Sequence, residues 1–230
     1  MKRNESFDKW AKDGAEKGDI GVIFLGDSIT QGWEGKGAEV WKAKYAPRGA
    51  VNMGIGCDRT QHVLRRLEHG NIDGLAKPKS GTAPKLVVLM IGTNNSNGID
   101  HSAEEIAEGI KAVVSRLREG LAETGILMLD IFPRGLKPNA QREKNARASE
   151  LAASAADGKW VHCLDVGPAF LEPDGTLSKG VMPDNLHPSA LGCRCWAEAM
   201  EPRIRKLLGE DKQAESPGIA DQDESPRSGR

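Results

Sequence analysis

Apolar positions along this chain fall into short continuous runs, separated by stretches in which they recur every three or four residues. The strands read from these runs, most of them nearly all apolar, cover 20–25, 50–52, 85–91, 126–131 and 160–164. Runs of this length without polar alternation are typical of parallel strands buried on both faces. The periodic stretches predict helices. The first is a leading helix over 7–17 in which Trp10 covers an edge, followed by 39–45 with Val40, Trp41 and Tyr45, and 60–68 with Val63, Leu64 and Leu67 on one face. A long helix over 103–123 carries Ile106, Ile110, Val113, Val114, Leu117 and Leu121 in one stripe, and an alanine-rich helix over 141–155 and a last one over 188–208 complete the set. Pro47 lies beyond the second helix, Gly125 past the long one, Pro133 after the fourth strand, and Pro188 in the first turn of the last helix. The stretch 70–84, rich in Gly, Lys and Pro, is a surface connection. Strands alternating with helices imply an α/β fold, a three-layer α/β/α sandwich on a five-stranded parallel sheet.

Length and composition narrow this reading. At 230 residues, with no linker in the first two hundred, the chain divides into a helical lead (1–17), one folded domain (18–210) and a polar, disordered tail (211–230). The net charge of -1, with 28% charged residues of both signs, supplies no field for nucleic acid or an anionic membrane. No apolar run is long enough for a membrane span, and the basic start is not followed by a signal-peptide core. The chain as given therefore reads as cytoplasmic, or as secreted or periplasmic had a signal peptide been removed. Four cysteines do not make a disulfide scaffold, and Cys193 and Cys195 would face different sides of their helix, so reduced thiols are expected.

Candidate chemistry gathers at the ends of strands. The first strand ends in Gly26-Asp27-Ser28, with Gly32 four residues on. Ligands of open parallel sheets bind beyond the carboxyl ends of strands, which makes Ser28 a candidate nucleophile. Asp27 or Ser28 would equally suit the N-cap of the following helix. The second strand runs into Met53-Gly54-Ile55-Gly56-Cys57-Asp58 and the third into Gly92-Thr93-Asn94-Asn95, so three strand ends converge on one edge. A hydroxyl needs an adjacent base held by a third group. Of five histidines, His62 and His69 read as solvated or packing residues of the 60–68 helix and its end, His101 as a cap or surface residue, and His162 as structural within the fifth strand. His187 differs, because Asp184 precedes it by three residues, close enough in a helical turn to hydrogen-bond the imidazole. Pro188 disfavours helical backbone at His187, which should stand off ahead of the last helix. A pre-helical histidine in a polar loop is the bland alternative, but it leaves the coincident strand-end motifs unexplained. Carboxylates and histidines are not spaced as a ligand set, and neither a Walker lysine nor a Gly-x-Gly-x-x-Gly fingerprint occurs, so no metal or cofactor is expected.

Gly26-Asp27-Ser28, the turn ending in Cys57-Asp58, Gly92-Thr93-Asn94 and Asp184-x-x-His187 resemble the four ordered blocks of the SGNH, or GDSL-type, hydrolase family. Within it, 52–64 and 133–139, with Arg142, Lys144 and Asn145, resemble the platelet-activating-factor acetylhydrolase catalytic-subunit group and its bacterial relatives; the likeness runs from Gly18 to Leu208. The resemblance implies a flavodoxin-like sheet, Ser28 as nucleophile, His187 as general base and acid, and Asp184 as the orienting carboxylate. It further implies an oxyanion hole made by the backbone N–H groups of Ser28 and Cys57 and the side-chain amide of Asn94. The family usually has glycine where this chain has Cys57, and cysteine can supply the same N–H provided the backbone there does not require positive φ. The implied activity is hydrolysis of short acyl esters, acetyl first, through an acyl-enzyme, with a small acyl ester as the ligand. Alternatives are a carbohydrate O-acetyl esterase and a catalytically silent interaction subunit. A homodimer is plausible because the resembling subunits pair. Gly56 lies in the oxyanion turn, Trp33 either walls the pocket or covers core, and Arg134 either touches substrate or forms a structural ion pair. Cys57 itself is a poor candidate nucleophile, since a thiolate would need its own base, although its thiol could border the acyl pocket.

Overall fold

The computed structural model describes residues 2–212, so the expected tail lies outside the described residues from position 213 onward. Strands β1 (Val22–Gly26), β2 (Ala50–Gly54), β3 (Leu86–Met90), β4 (Gly125–Leu129) and β5 (Val161–Leu164) form one five-stranded sheet in the order β2-β1-β3-β4-β5. Every neighbouring pair is parallel, with Gly26 opposite both Gly54 and Met90. Successive residues of a strand point to opposite faces, and here both faces are covered. Ile23, Leu25, Val87 and Leu89 enter one core with Phe7, Val63 and Ile110; Val22, Phe24, Val88 and Met90 enter the other with Trp33, Tyr45 and Trp196. That two-sided burial is why the strands read as continuous apolar runs. The first layer holds α1 (Lys2–Lys17), α4 (Thr60–Leu67), α5 (Ala103–Gly120) and α6 (Ala140–Ala152). The second holds α7 (Ala190–Leu208) and the segment from α2 (Ser28–Gln31) through α3 (Ala38–Val40) to Tyr45. The three-layer α/β/α sandwich is as expected.

Several boundaries differ from the hydropathy pattern for local reasons. The leading helix begins at Lys2 rather than near residue 7, and its Phe7 and Ala11 are fully buried in the first core. The crossover expected as one helix over 39–45 is α3 followed by a π-helical turn at Trp41–Tyr45 and a 3-10 turn at Ala46–Arg48. Pro47 has no N–H to continue an α-helical ladder there. Gly125 is not a helix cap but the first residue of β4, paired with Leu86. The long helix already ends at Gly120, where the Arg118 guanidinium donates to the carbonyls of Leu121, Ala122 and Thr124. Pro188 precedes α7 instead of occupying its first turn, because Ser189 is the N-cap and its Oγ accepts the Gly192 N–H at 3.1 Å. All four cysteines are free, with Cys193 buried and Cys195 partly exposed. Among the described residues no helix is long and apolar enough to cross a membrane.

Candidate active site

The carboxyl end of β1 meets β2 and α2 at van der Waals limits that only glycine satisfies. A Cβ on Gly26 would lie 2.2 Å from Thr30 Oγ1 and 2.3 Å from the Met90 carbonyl, and one on Gly54 would lie 2.3 Å from the Gln31 nitrogen. This close approach sets Ser28 at the first position of α2, directly beyond the sheet edge. Asp27 is the N-cap, its Oδ1 accepting the Ile29 N–H at 2.9 Å. The cap and the candidate nucleophile are therefore adjacent residues. Asp27 is fully buried, its Oδ2 has no partner among the described residues, and burial pushes its carboxyl up to about 7.

The turn after β2 is tied back to this end. The Ile55 N–H donates to the Gly26 carbonyl at 3.2 Å, and the Gly56 N–H to Gln31 Oε1 at 2.8 Å. Cys57 follows, exposed and at φ +66. The condition under which cysteine could replace glycine without strain is therefore not met, because the turn holds Cys57 in the left-handed region. Asp58 is buried; burial raises its carboxyl against the pull of Arg66, whose Nε donates to Asp58 Oδ2 at 2.9 Å. Beyond β3, Asn94 Nδ2 donates to the Asp58 carbonyl at 2.9 Å, leaving its second amide hydrogen for another acceptor.

The loop before α7 supplies the last pieces. Asp184 Oδ1 accepts the N–H groups of Leu186 (3.0 Å) and His187 (2.7 Å), while Oδ2 lies 2.7 Å from His187 Nδ1. His187 Nε2 lies 2.9 Å from Ser28 Oγ across 159 residues of sequence. Burial would raise the Asp184 carboxyl, but the His187 N–H, the imidazole and the Leu186 N–H together hold it below the ordinary carboxylate range. An ionised Asp184 at this distance favours the tautomer whose Nδ1–H faces it, which leaves Nε2 as the ring nitrogen toward the serine hydroxyl.

A cavity of about 580 Å³ opens beside this relay, lined in part by Ser28, Gln31, Glu34, Lys36, His187 and Cys193. A second, of about 830 Å³, borders the Gly56–Cys57 turn between α1 and α4. Trp33 is not on the wall of either cavity; it is fully enclosed, with its ring 4.5 Å from that of Trp196. Arg134 makes no ion pair among the described residues. Its Nη1 donates to the Thr93 carbonyl (3.1 Å) and Asn97 Oδ1 (2.9 Å), which fixes the loop that bears Asn94. His62 Nδ1 accepts the Arg59 N–H at 3.1 Å and His69 pairs with Arg65, so both are engaged away from Ser28. Pattern reading passed over Gln31 and Arg66. For Arg66 a signal existed, a charge on the same helical face as Val63 and Leu67. Among the described residues no group of three or more His, Cys, Asp or Glu side chains is placed to hold a metal ion.

With this geometry in view, similarity to known proteins is specific. The chain is 39% identical over 192 residues to platelet-activating factor acetylhydrolase IB subunit alpha1 of Homo sapiens, covering 83% of this chain and 78% of that protein. It is 34% identical over 200 residues to subunit alpha2 of Mus musculus, covering 86% and 82% respectively. A GDSL-like lipase from Bacteroides thetaiotaomicron superimposes with TM-score 0.63 at 19% identity, over 87% of this chain and 97% of that one. An acetylxylan esterase from Geobacillus stearothermophilus superimposes with TM-score 0.62 at 21% identity, over 84% and 95%. These two structural matches establish the common fold. Since the GDSL-like lipase/acylhydrolase family model also matches residues 24–195, the chain belongs to that family of hydrolases.

Proposed function

We propose that this chain is a serine esterase that hydrolyses short acyl esters, acetyl first, through an acyl-enzyme. The observation that carries the reading is the unbroken relay from Asp184 through His187 to Ser28 Oγ, with contacts of 2.7 and 2.9 Å, beside the Cys57 turn and Asn94. His187 Nε2 takes the hydroxyl proton as Ser28 Oγ attacks the ester carbonyl. The N–H groups of Ser28 and Cys57 and the Asn94 amide hold the oxyanion, each worth about 2.7 to 4 kcal/mol in the transition state. Protonated His187 then gives its proton to the departing alcohol, and water, activated by the same imidazole, releases the acid. Acetyl is favoured by the 39% identical relative, whose name records an acetylhydrolase. Gln31, Glu34 and Lys36 around the cavity next to His187 favour, as a second reading, an alcohol with several hydroxyls, such as an acetylated sugar. The test is p-nitrophenyl acetate hydrolysis by the parent and by Ser28→Ala, followed by acetylated xylan against acetylated glycerolipid. Loss of turnover in the variant is expected; equal turnover in both removes Ser28 from the chemistry.

A further inference from the structure

Arg66 lies on the buried face of α4, 5% exposed, yet its guanidinium reaches three separate segments of the site. Nε donates to Asp58 Oδ2 at 2.9 Å; Nη2 donates to the carbonyls of Met53 at 2.7 Å and Gly26 at 3.2 Å. Nη1 donates to Asn71 Oδ1 at 3.0 Å, and the Phe7 ring centroid lies 5.4 Å from Cζ. Asn71 in turn donates to Asn4 and Asp8 of α1. Gly26 lies two residues before Ser28, Met53 leads into the Gly56–Cys57 turn, and Asp58 follows Cys57 and receives Asn94 on its own carbonyl. One planar group therefore grips the backbone that leads to the first two proposed oxyanion donors, and the side chain of Asp58, whose main-chain carbonyl receives the third. A guanidinium is suited to this because its five N–H groups lie in one fixed plane, whereas an ammonium cannot span these acceptors.

We infer that Arg66 is a positioning residue that sets the mutual spacing of the Ser28 N–H, the Cys57 N–H and the Asn94 amide. It acts on the rate through oxyanion stabilisation without touching substrate. The inference rests on the esterase reading above. Its test is Arg66→Lys in the full chain, alone and combined with Asn94→Ala, read by kcat, KM, thermal melting and amide hydrogen exchange. Arg66→Lys is expected to lower kcat about tenfold or more with KM within about threefold, because donors aimed at developing charge are lost from the transition state. In the Asn94→Ala background the same change should cost less than about threefold, since residues acting through one device are not additive. Exchange at amides 55–58 should quicken while that of α5 does not.

A folded Arg66→Lys protein with parental kcat overturns the inference, as does an equal loss in both backgrounds. If Arg66→Lys does not fold, Asp58→Ala takes its place with the same expectations, since it removes the acceptor of Arg66 Nε and leaves the main-chain carbonyl that receives Asn94; parental kcat in the folded variant overturns the inference too. Inactivity of the parent itself would count against the esterase reading alone. Exchange then decides the role of Arg66: faster exchange confined to the turn supports it, and an unchanged turn refutes it.

Discussion

Cys57 offers a quantitative test of the turn proposed to present one oxyanion donor. Its φ of +66 places an L-residue where Cβ crowds the following carbonyl, at a cost of roughly 1–2 kcal/mol. Its side chain is exposed, so truncation sacrifices little packing. Glycine removes the steric cost but gives the unfolded chain extra freedom worth about 0.4–1 kcal/mol. The difference predicts that Cys57→Gly is more stable than the parent, by up to about 1.6 kcal/mol. Cys57→Ala retains a Cβ and should stay within about 0.5 kcal/mol of the parent, whereas Cys57→Val, branched at Cβ, should lose about 1 kcal/mol or more. Urea unfolding at constant m value gives the ranking. The donor is a backbone N–H, so the glycine and alanine variants should keep kcat within about threefold of the parent. A glycine variant less stable than the parent, or a valine variant equal to it, would refute a left-handed Cys57. A large loss of kcat in the alanine variant would refute a purely backbone contribution.

Asn94→Ala should lower kcat by about 10²–10³ with little change in KM, and a loss confined to KM in steady-state assays would place Asn94 in ground-state binding instead. Asp184→Asn should lower kcat by on the order of 10⁴ by releasing the Nδ1–H tautomer of His187, with the melting temperature as a control for folding. Asp27 links stability to pH with a definite sign. The folded carboxyl keeps its proton up to about 7, whereas in the unfolded chain it titrates near its ordinary value of 3.8. The native state therefore binds more protons between those values, and stability falls as pH rises through the window, by about 1.4 kcal/mol per unit. Asp27→Asn should remove about 2–3 kcal/mol of the fall between pH 5 and 7. Melts of parent and variant with the same pH dependence would contradict this.

The sheet was legible because each of its strands is covered on both faces, which forces the unbroken apolar runs at 86–91 and 126–129. Element ends were less so. Ser189 and Gly125 take their roles from a hydrogen bond and a strand pairing that hydropathy does not encode. Ser28, Asp184 and His187 could be picked out because the residue types and the local Asp-x-x-His spacing already constrain the chemistry. Trp33 could not be assigned, since its neighbours Phe24, Tyr45 and Trp196 come from three other segments. Arg134 was equally opaque, because its partners include a main-chain carbonyl in a loop 41 residues away. The backbone angle at Cys57 follows from a turn closed by the Asp58 N–H to the Ile55 carbonyl, a contact that composition cannot reveal.

The bond between Ser28 and His187 spans 159 positions, whereas Ser28, Cys57 and Asn94 all lie just beyond the carboxyl ends of the first three strands. On a ribosome, the half of the site proposed to stabilise the oxyanion is therefore synthesised long before the proposed proton acceptor reaches it. A nascent chain that has formed β1, β2 and β3 can present its donors but holds Ser28 as an inert alcohol. On the proposed mechanism, hydrolysis begins only when the loop ahead of α7 closes over the sheet edge. During refolding, the return of turnover would accordingly time the docking of the C-terminal helix rather than the assembly of the sheet.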